Sequence, residues 1–292
     1  MNKIKGTGVA LVTCFNEDKS IDYIGLENLL QHVSKGGVDY LVVMGTTGES
    51  VTLNQKERMQ VLKFIQDNNT LRLPVVLGLG TNSTSSLIDD LQKIDFNGID
   101  AILSVSPYYN KPTQEGIYQH YKKLSKYSPV PIIIYNVPSR TGANICSETT
   151  LRLANDFDNI IGIKEASGNL DQIMSIIKDK PNDFVVLSGD DGLTLPMIYL
   201  GAEGVISVIG QLHPAKYSQM VNSAMSADII KANQLHYSLY NYYGPLYREG
   251  NPSGIKAALE TIGICKKFVR LPLIEATESI VQELVDLRDN NL

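Results

Sequence analysis

Ile160-Ile161-Gly162-Ile163-Lys164-Glu165-Ala166 sets one lysine inside a run that otherwise has the make-up of a buried strand. A strand of a parallel sheet is covered on both faces and shows a short apolar run rather than clean alternation, so a charge within it is informative. The period of two puts Lys164 on one face with Gly162 and Ile160, and the absent side chain of Gly162 reads as room for the lysine stem. Withdrawal from water disfavours an ammonium, and a neutral amine is a nucleophile. A purely structural lysine, its stem buried and its head reaching water at a strand end, accounts for this segment equally well.

Seven further β-rich runs surround this one, giving in order 9–12, 40–44, 74–79, 101–105, 131–135, 160–164, 184–187 and 204–209. Between them lie amphipathic segments with helix start and stop signals, at 20–36, 54–69, 83–97, 113–126, 147–157, 170–180 and 191–200. Asn54 before Gln55-Lys56-Glu57 has the form of an N-cap, and Gly36-Gly37 that of a stop. Strands separated by helices at this interval make βαβ units and a parallel sheet. Eight in succession give an α/β chain folded as a (β/α)8 (TIM) barrel, with an open doubly wound sheet as the weaker alternative. After about residue 210 only helical patterns remain, at 216–226, 228–243, 253–262 and 276–289, broken at Gly244-Pro245, Asn251-Pro252 and Leu271-Pro272. The expected organisation is a catalytic barrel over 1–226 and a three-helix appendage over 227–292.

Composition bounds the class of partner. Of 292 residues 43% are hydrophobic and 20% charged, and the net charge of −5 leaves no basic footprint for nucleic acid or an anionic membrane surface. The apolar run at 9–12 is too short for a signal sequence or a membrane span, so a cytoplasmic protein is expected. Cys14, Cys146 and Cys265 form no C-x-x-C pair, and His32, His120, His213 and His236 are scattered. Neither a disulfide framework nor a metal site is suggested, and no cofactor is expected.

In such a barrel the site lies where the strands end in their following loops. Those loops carry Gly45-Thr46-Thr47-Gly48-Glu49-Ser50, Gly78-Leu79-Gly80-Thr81-Asn82, Ser106-Pro107-Tyr108-Tyr109-Asn110, Tyr135-Asn136-Val137-Pro138-Ser139-Arg140, Lys164, Ser188-Gly189-Asp190-Asp191 and Ile206-Ser207. Singly each has a bland reading: a tight turn, core aromatics, a helix cap at Asp190-Asp191. Gly78-Leu79-Gly80 lacks the third glycine of a dinucleotide fingerprint. Together they make one chemistry. A lysine amine condenses with a ketone to an imine, an electron sink that turns the neighbouring carbon into an enamine nucleophile. Tyrosine and threonine hydroxyls relay protons, Arg140 offers a planar fork to a carboxylate, and the N–H groups of the Thr46-Thr47 turn offer a second anion cradle. This is a metal-free aldolase chemistry.

The stretches 45–49, 135–142, 162–165 and 204–208 closely resemble the motifs of the 4-hydroxy-tetrahydrodipicolinate (dihydrodipicolinate) synthase family. That family belongs to the pyruvate-dependent Schiff-base lyases, which also include N-acetylneuraminate lyase. The resemblance implies that Lys164 forms the Schiff base with pyruvate and that Tyr135 is the general acid and base, with Thr47 and Tyr109 completing a proton relay. It implies that Tyr109 reaches into a neighbouring subunit's site, that Thr46 and Thr47 hold the pyruvate carboxylate, and that Arg140 binds L-aspartate-4-semialdehyde. Gly189 and Ile206 would line the pocket through their backbone, in a homotetramer built as a dimer of dimers. Arg140 separates this reading from the runner-up, a neuraminate lyase or 2-keto-3-deoxy sugar acid aldolase, whose aldehyde is a polyol. Ser50, Val51, Asn82 and Tyr108 stand where an inhibitory L-lysine would bind, but Gln55, Arg58 and Ser86 depart from the sensitive pattern, Ser86 replacing a carboxylate. Weak or absent inhibition is expected. Two other classes, a non-catalytic keto-acid-binding barrel and a pyridoxal-phosphate enzyme, are disfavoured by the complete relay and by the lack of a phosphate-cradling loop.

Overall fold

In the computed structural model, which describes residues 4–289, the apolar runs become strands β1 (Gly6–Ala10), β2 (Tyr40–Val43), β3 (Val75–Gly78), β4 (Ala101–Val105), β5 (Ile132–Asn136), β6 (Ile160–Glu165), β7 (Val185–Ser188) and β8 (Gly204–Ser207). Each is parallel to the next, and β8 returns to β1 from Gly6↔Gly204 to Val9↔Ser207, closing the barrel. The open-sheet alternative falls with that pairing.

Seven helices alternate with the strands up to β8: α1 (Tyr23–Lys35), α2 (Gln55–Asn68), α3 (Thr84–Leu91), α4 (Gln114–Tyr127), α6 (Ser147–Asp156), α7 (Leu170–Asp179) and α8 (Thr194–Tyr199), with a single-turn α5 (Pro138–Thr141) preceding α6. After β8 come α9 (Pro214–Met225), α10 (Ile229–Arg248), α11 (Ser253–Thr261) and α12 (Glu278–Asp289). Local chemistry starts several of them. Asp22, Thr113 and Asn169 each accept an N–H of the first turn, and Asn54 with Glu57 forms a reciprocal capping box.

Alternate strand residues divide two cores. Tyr40, Val42, Val76, Leu103, Ile133, Val185 and Leu187 fill the barrel. Leu41, Val43, Ile134, Ile163 and Val186 face the helices, against side chains such as Leu29, Leu62, Leu87, Tyr121 and Ile173. Each fully buried aliphatic chain contributes roughly 1.5–3 kcal/mol, and burial on both faces is why these strands read as continuous apolar runs.

Among the boundaries that differ from the sequence reading, four have an identifiable cause. β1 begins three residues before its apolar run, because Gly6 and Thr7 pair with Gly204 and Val205. α3 ends at Leu91, short of 97, as Asp95 caps the N–H of Asn97 and Gly98 turns at φ 74°. β8 ends at Ser207 because the Asp191 carboxylate takes the N–H groups of Val208 and Ile209 out of the ladder. The break expected at Gly244-Pro245 does not occur: α10 runs through Pro245 to Arg248, held by buried Tyr242 and Leu246. Among the described residues no helix is long and apolar enough to cross a membrane.

Candidate active site

The register Tyr135↔Lys164 brings the ends of β5 and β6 side by side. Both side chains point into the barrel mouth, 7% and 6% exposed, with Lys164 Nζ 4.4 Å from the centre of the Tyr135 ring. The ion pairs of the described residues leave Lys164 out. Its neighbour Glu165 points the other way and is fully buried, accepting from Asn136 Nδ2, the Ser167 N–H and Gln172 Nε2. That carboxylate is occupied outside the barrel, so the amine inside faces an aromatic ring and a cavity.

The room for Lys164 comes from a different glycine than expected. A Cβ on Gly162 would stand 2.4 Å from Val185 Cγ2, so Gly162 serves the close approach of β7. A Cβ on Gly189 would stand 3.0 Å from Lys164 Cε and 2.6 Å from Ala166 Cβ, so Gly189 is the residue whose missing side chain clears the stem.

A cavity of about 190 Å³ joins Lys164 and Tyr135 to Thr46, Thr47, Arg140, Gly189 and Asp190. Thr46 to Gly48 form a short 3-10 turn after β2, in which Thr46 is exposed and Thr47 is buried. Glu49 ends that turn in the left-handed region, φ 52°, with its fully buried carboxylate on Lys256 Nζ and the Arg270 N–H. Arg140 stands in α5 with its Nη2 3.4 Å from the Asn251 carbonyl, leaving the rest of the fork for a ligand. Burial pushes the Asp190 carboxyl up, opposed by the N–H groups of Leu193 and Gly192 and assisted by the charge of Asp191. Neither aspartate caps α8, whose N-cap is Leu193 without a side-chain bond: Asp190 closes the turn before it through the N–H groups of Gly192 and Leu193, and Asp191 binds Ser207 Oγ, two N–H groups after β8 and the Tyr247 hydroxyl.

Other expected residues fall elsewhere. Ile206 lies inside the barrel, and Val208, two residues on, lines the cavity. Tyr109 stands outside it, 87% exposed at φ 74°, its N–H donating to the Thr141 carbonyl. Ser50, Val51 and Tyr108 line a second cavity of about 270 Å³ that also touches Arg58, Tyr135 and Arg140; Asn82 is not on its wall. Ser86 Oγ bonds Ser83 Oγ at the start of α3.

Two mouth residues were missed, Tyr247 and Asn251. Asn251 Nδ2 donates to Thr47 Oγ1 at 2.9 Å. Both follow Gly244-Pro245, where the sequence pattern breaks the helix, and only the dipeptide Asn251-Pro252 marks the place.

An amine beside a tyrosine at the carboxyl end of a (β/α)8 barrel, with a guanidinium in reach, defines a lyase of the Schiff-base aldolase class. The model of the dihydrodipicolinate synthetase family matches residues 3–290, and the chain belongs to that family. It is 51% identical over 284 residues to the 4-hydroxy-tetrahydrodipicolinate synthase of Flavobacterium psychrophilum, covering 97% of each chain. It is 49% identical to that of Parabacteroides distasonis, covering 93% of this chain and 91% of the other. The crystal structure of dihydrodipicolinate synthase from Aquifex aeolicus superposes with a TM-score of 0.94 at 40% identity, and that from Thermotoga maritima with 0.96 at 37%, each covering 99% of both chains. These relatives favour the synthase over the neuraminate lyase reading.

Proposed function

We propose that this protein condenses pyruvate with L-aspartate-4-semialdehyde to 4-hydroxy-tetrahydrodipicolinate, in the diaminopimelate route to lysine. The observation that carries the assignment of roles is the Lys164 amine, buried in the mouth, out of every ion pair of the described residues and 4.4 Å from the Tyr135 ring centre. Lys164 Nζ adds to the pyruvate ketone, and the carbinolamine loses one water to give the imine. Loss of a proton from the methyl carbon makes the enamine, whose carbon attacks the aldehyde; the new alkoxide takes up a proton. The semialdehyde's own amine then displaces Lys164 at the former ketone carbon and closes the ring, so one water is lost overall and the free lysine returns.

Tyr135 and Thr47 move the protons, with Tyr109 supplied from a second subunit; its exposed side chain and left-handed backbone support that role. Thr46 and Thr47 hold the pyruvate carboxylate and Arg140 that of the semialdehyde, with Gly189 and Ile206 shaping the pocket. The enzyme works as a cytoplasmic homotetramer, with a catalytic barrel over 1–226 and a helical appendage over 227–292. Borohydride reduction in the presence of pyruvate tests the reading: one pyruvate-derived mass on Lys164, absent in Lys164→Ala, is expected. Pyruvate binding without trapping would overturn it in favour of a non-catalytic barrel.

A further inference from the structure

The segment after α10 enters the mouth through one side chain. Asn251 is 8% exposed, and three of its polar atoms divide their work. Nδ2 donates to Thr47 Oγ1 at 2.9 Å, the backbone carbonyl accepts from Arg140 Nη2 at 3.4 Å, and Oδ1 is buried without a partner. Thr47 is 3% exposed and comes from the turn after β2, 204 residues away in sequence. Its backbone is fixed independently, by the bond from Thr13 Oγ1 to the Gly48 carbonyl and by Glu49 on Lys256. What that leaves undetermined is the direction of the Thr47 O–H, because a hydroxyl both donates and accepts.

We infer that Asn251 is a positioning residue that orients the Thr47 proton. With a lone pair of Oγ1 engaged by the Asn251 amide, Thr47 keeps its own proton for an acceptor in the mouth. The inference rests on the function proposed above and adds to it the element that selects donor over acceptor at Thr47. It also gives the helical tail a part in the reaction: the side chain sets Thr47, and the carbonyl of the same residue touches Arg140. The two contacts are separable, since a side-chain substitution leaves the carbonyl in place.

The experiment is a double-mutant cycle on the full-length enzyme, read as kcat and as the Michaelis constants of both substrates. Asn251→Ala should lower kcat about tenfold or more, the scale of one misdirected proton transfer. The Michaelis constant of the semialdehyde should stay within about threefold, since the carbonyl on Arg140 remains. In a Thr47→Val background, which has no hydroxyl to orient, the same substitution should change kcat by less than about twofold. Independent losses that multiply would overturn the inference. Asn251→Asp keeps the shape but can only accept when ionised, so it captures the Thr47 proton; it should be no faster than Asn251→Ala at neutral pH. A near-normal rate for the Asp variant would show that Asn251 fills space only, and overturn the orientation. Thermal unfolding of each variant separates loss of fold from loss of rate, the isosteric Asp variant remaining decisive where the Ala variant unfolds. Borohydride trapping of pyruvate on the wild-type enzyme is run alongside: its absence would sink the proposed function and this inference together, whereas trapping with an additive cycle sinks the inference alone.

Discussion

Lys256→Met is the perturbation whose cost the structure sets most directly. Lys256 and Glu49 are both fully buried, and the ammonium also donates to the Phe268 carbonyl and lies 4.1 Å from the centre of the Phe15 ring. Burial pushes the Lys256 ammonium down, against the pull of Glu49 that holds its proton on. Methionine keeps the length of the stem and removes the charge. Glu49 is then left in a dry site with the Arg270 N–H as its remaining donor. Breaking a buried pair by removing one partner costs about 3–5 kcal/mol, because the other charge stays behind. Against a total stability of about 5–15 kcal/mol this is a large fraction. Replacing both, Glu49→Leu with Lys256→Met, should recover about 1 kcal/mol or more of that loss, because no unpaired charge remains. Urea unfolding followed by circular dichroism measures Lys256→Met, Glu49→Leu and the double variant at one protein concentration. A loss below about 1 kcal/mol for the single substitution, or a double variant as unstable as the sum of its parts, would refute the reasoning. Activity should fall with the single substitution as well, since Glu49 closes the turn that carries Thr46 and Thr47.

Arg140→Ala should raise the Michaelis constant for the semialdehyde by about tenfold or more and that for pyruvate far less, a lost charge-assisted fork being worth about 1.5–3 kcal/mol; equal effects on both would remove its role. His120 is 3% exposed, its Nδ1 lies 2.9 Å from Thr84 Oγ1, and burial pushes its pKa down to about 4. The unfolded chain takes a proton near the ordinary value of about 6.5 while the folded one does not, so this stability is complete above that pH and is lost as pH falls toward 4, by up to about 3 kcal/mol. His120→Gln should flatten that part of the stability profile, and an unchanged slope in pH-dependent unfolding would contradict the assignment. L-lysine should inhibit weakly or not at all, given Arg58 on the wall of the second cavity and the Ser86 hydroxyl spent on Ser83, the N-cap of α3; half-inhibition of the initial rate below about 1 mM, a binding free energy beyond about −4.1 kcal/mol, would show otherwise.

The parts of the fold that could be read from the sequence were those written within a few residues. Continuous runs such as those around Ile132 and Val185 gave the barrel because both faces of each strand are covered, and Asn54 and Thr113 marked where helices begin. Gly6 and Thr7 were passed over since glycine hides a strand, and only pairing with β8 fixes them there. Pro245 misled for the opposite reason: a strong local breaker was overruled by the burial of Tyr242 and Leu246. The site divides in the same way. Lys164 and Tyr135 sit at strand ends, Thr47 and Arg140 in the segments that follow; all could be placed by counting strands, and they line one cavity. Asn251 and Lys256 meet residues more than 200 positions earlier, and no spacing rule reaches that far. The room attributed to Gly162 belongs to Gly189 because strand neighbours, not residues along one strand, compete for space inside a barrel.

The distance between Glu49 and Lys256 along the chain, 207 residues, has a consequence for how the molecule comes into being. On the ribosome the acidic partner is made early and waits, uncompensated, through the synthesis of every later strand. Only when α11 has left the exit tunnel can Lys256 meet that charge and complete the fixing of the threonine turn that Thr13 begins. A chain lacking its last fifth would carry the lysine nucleophile without Lys256, the partner of the carboxylate that ends the threonine turn.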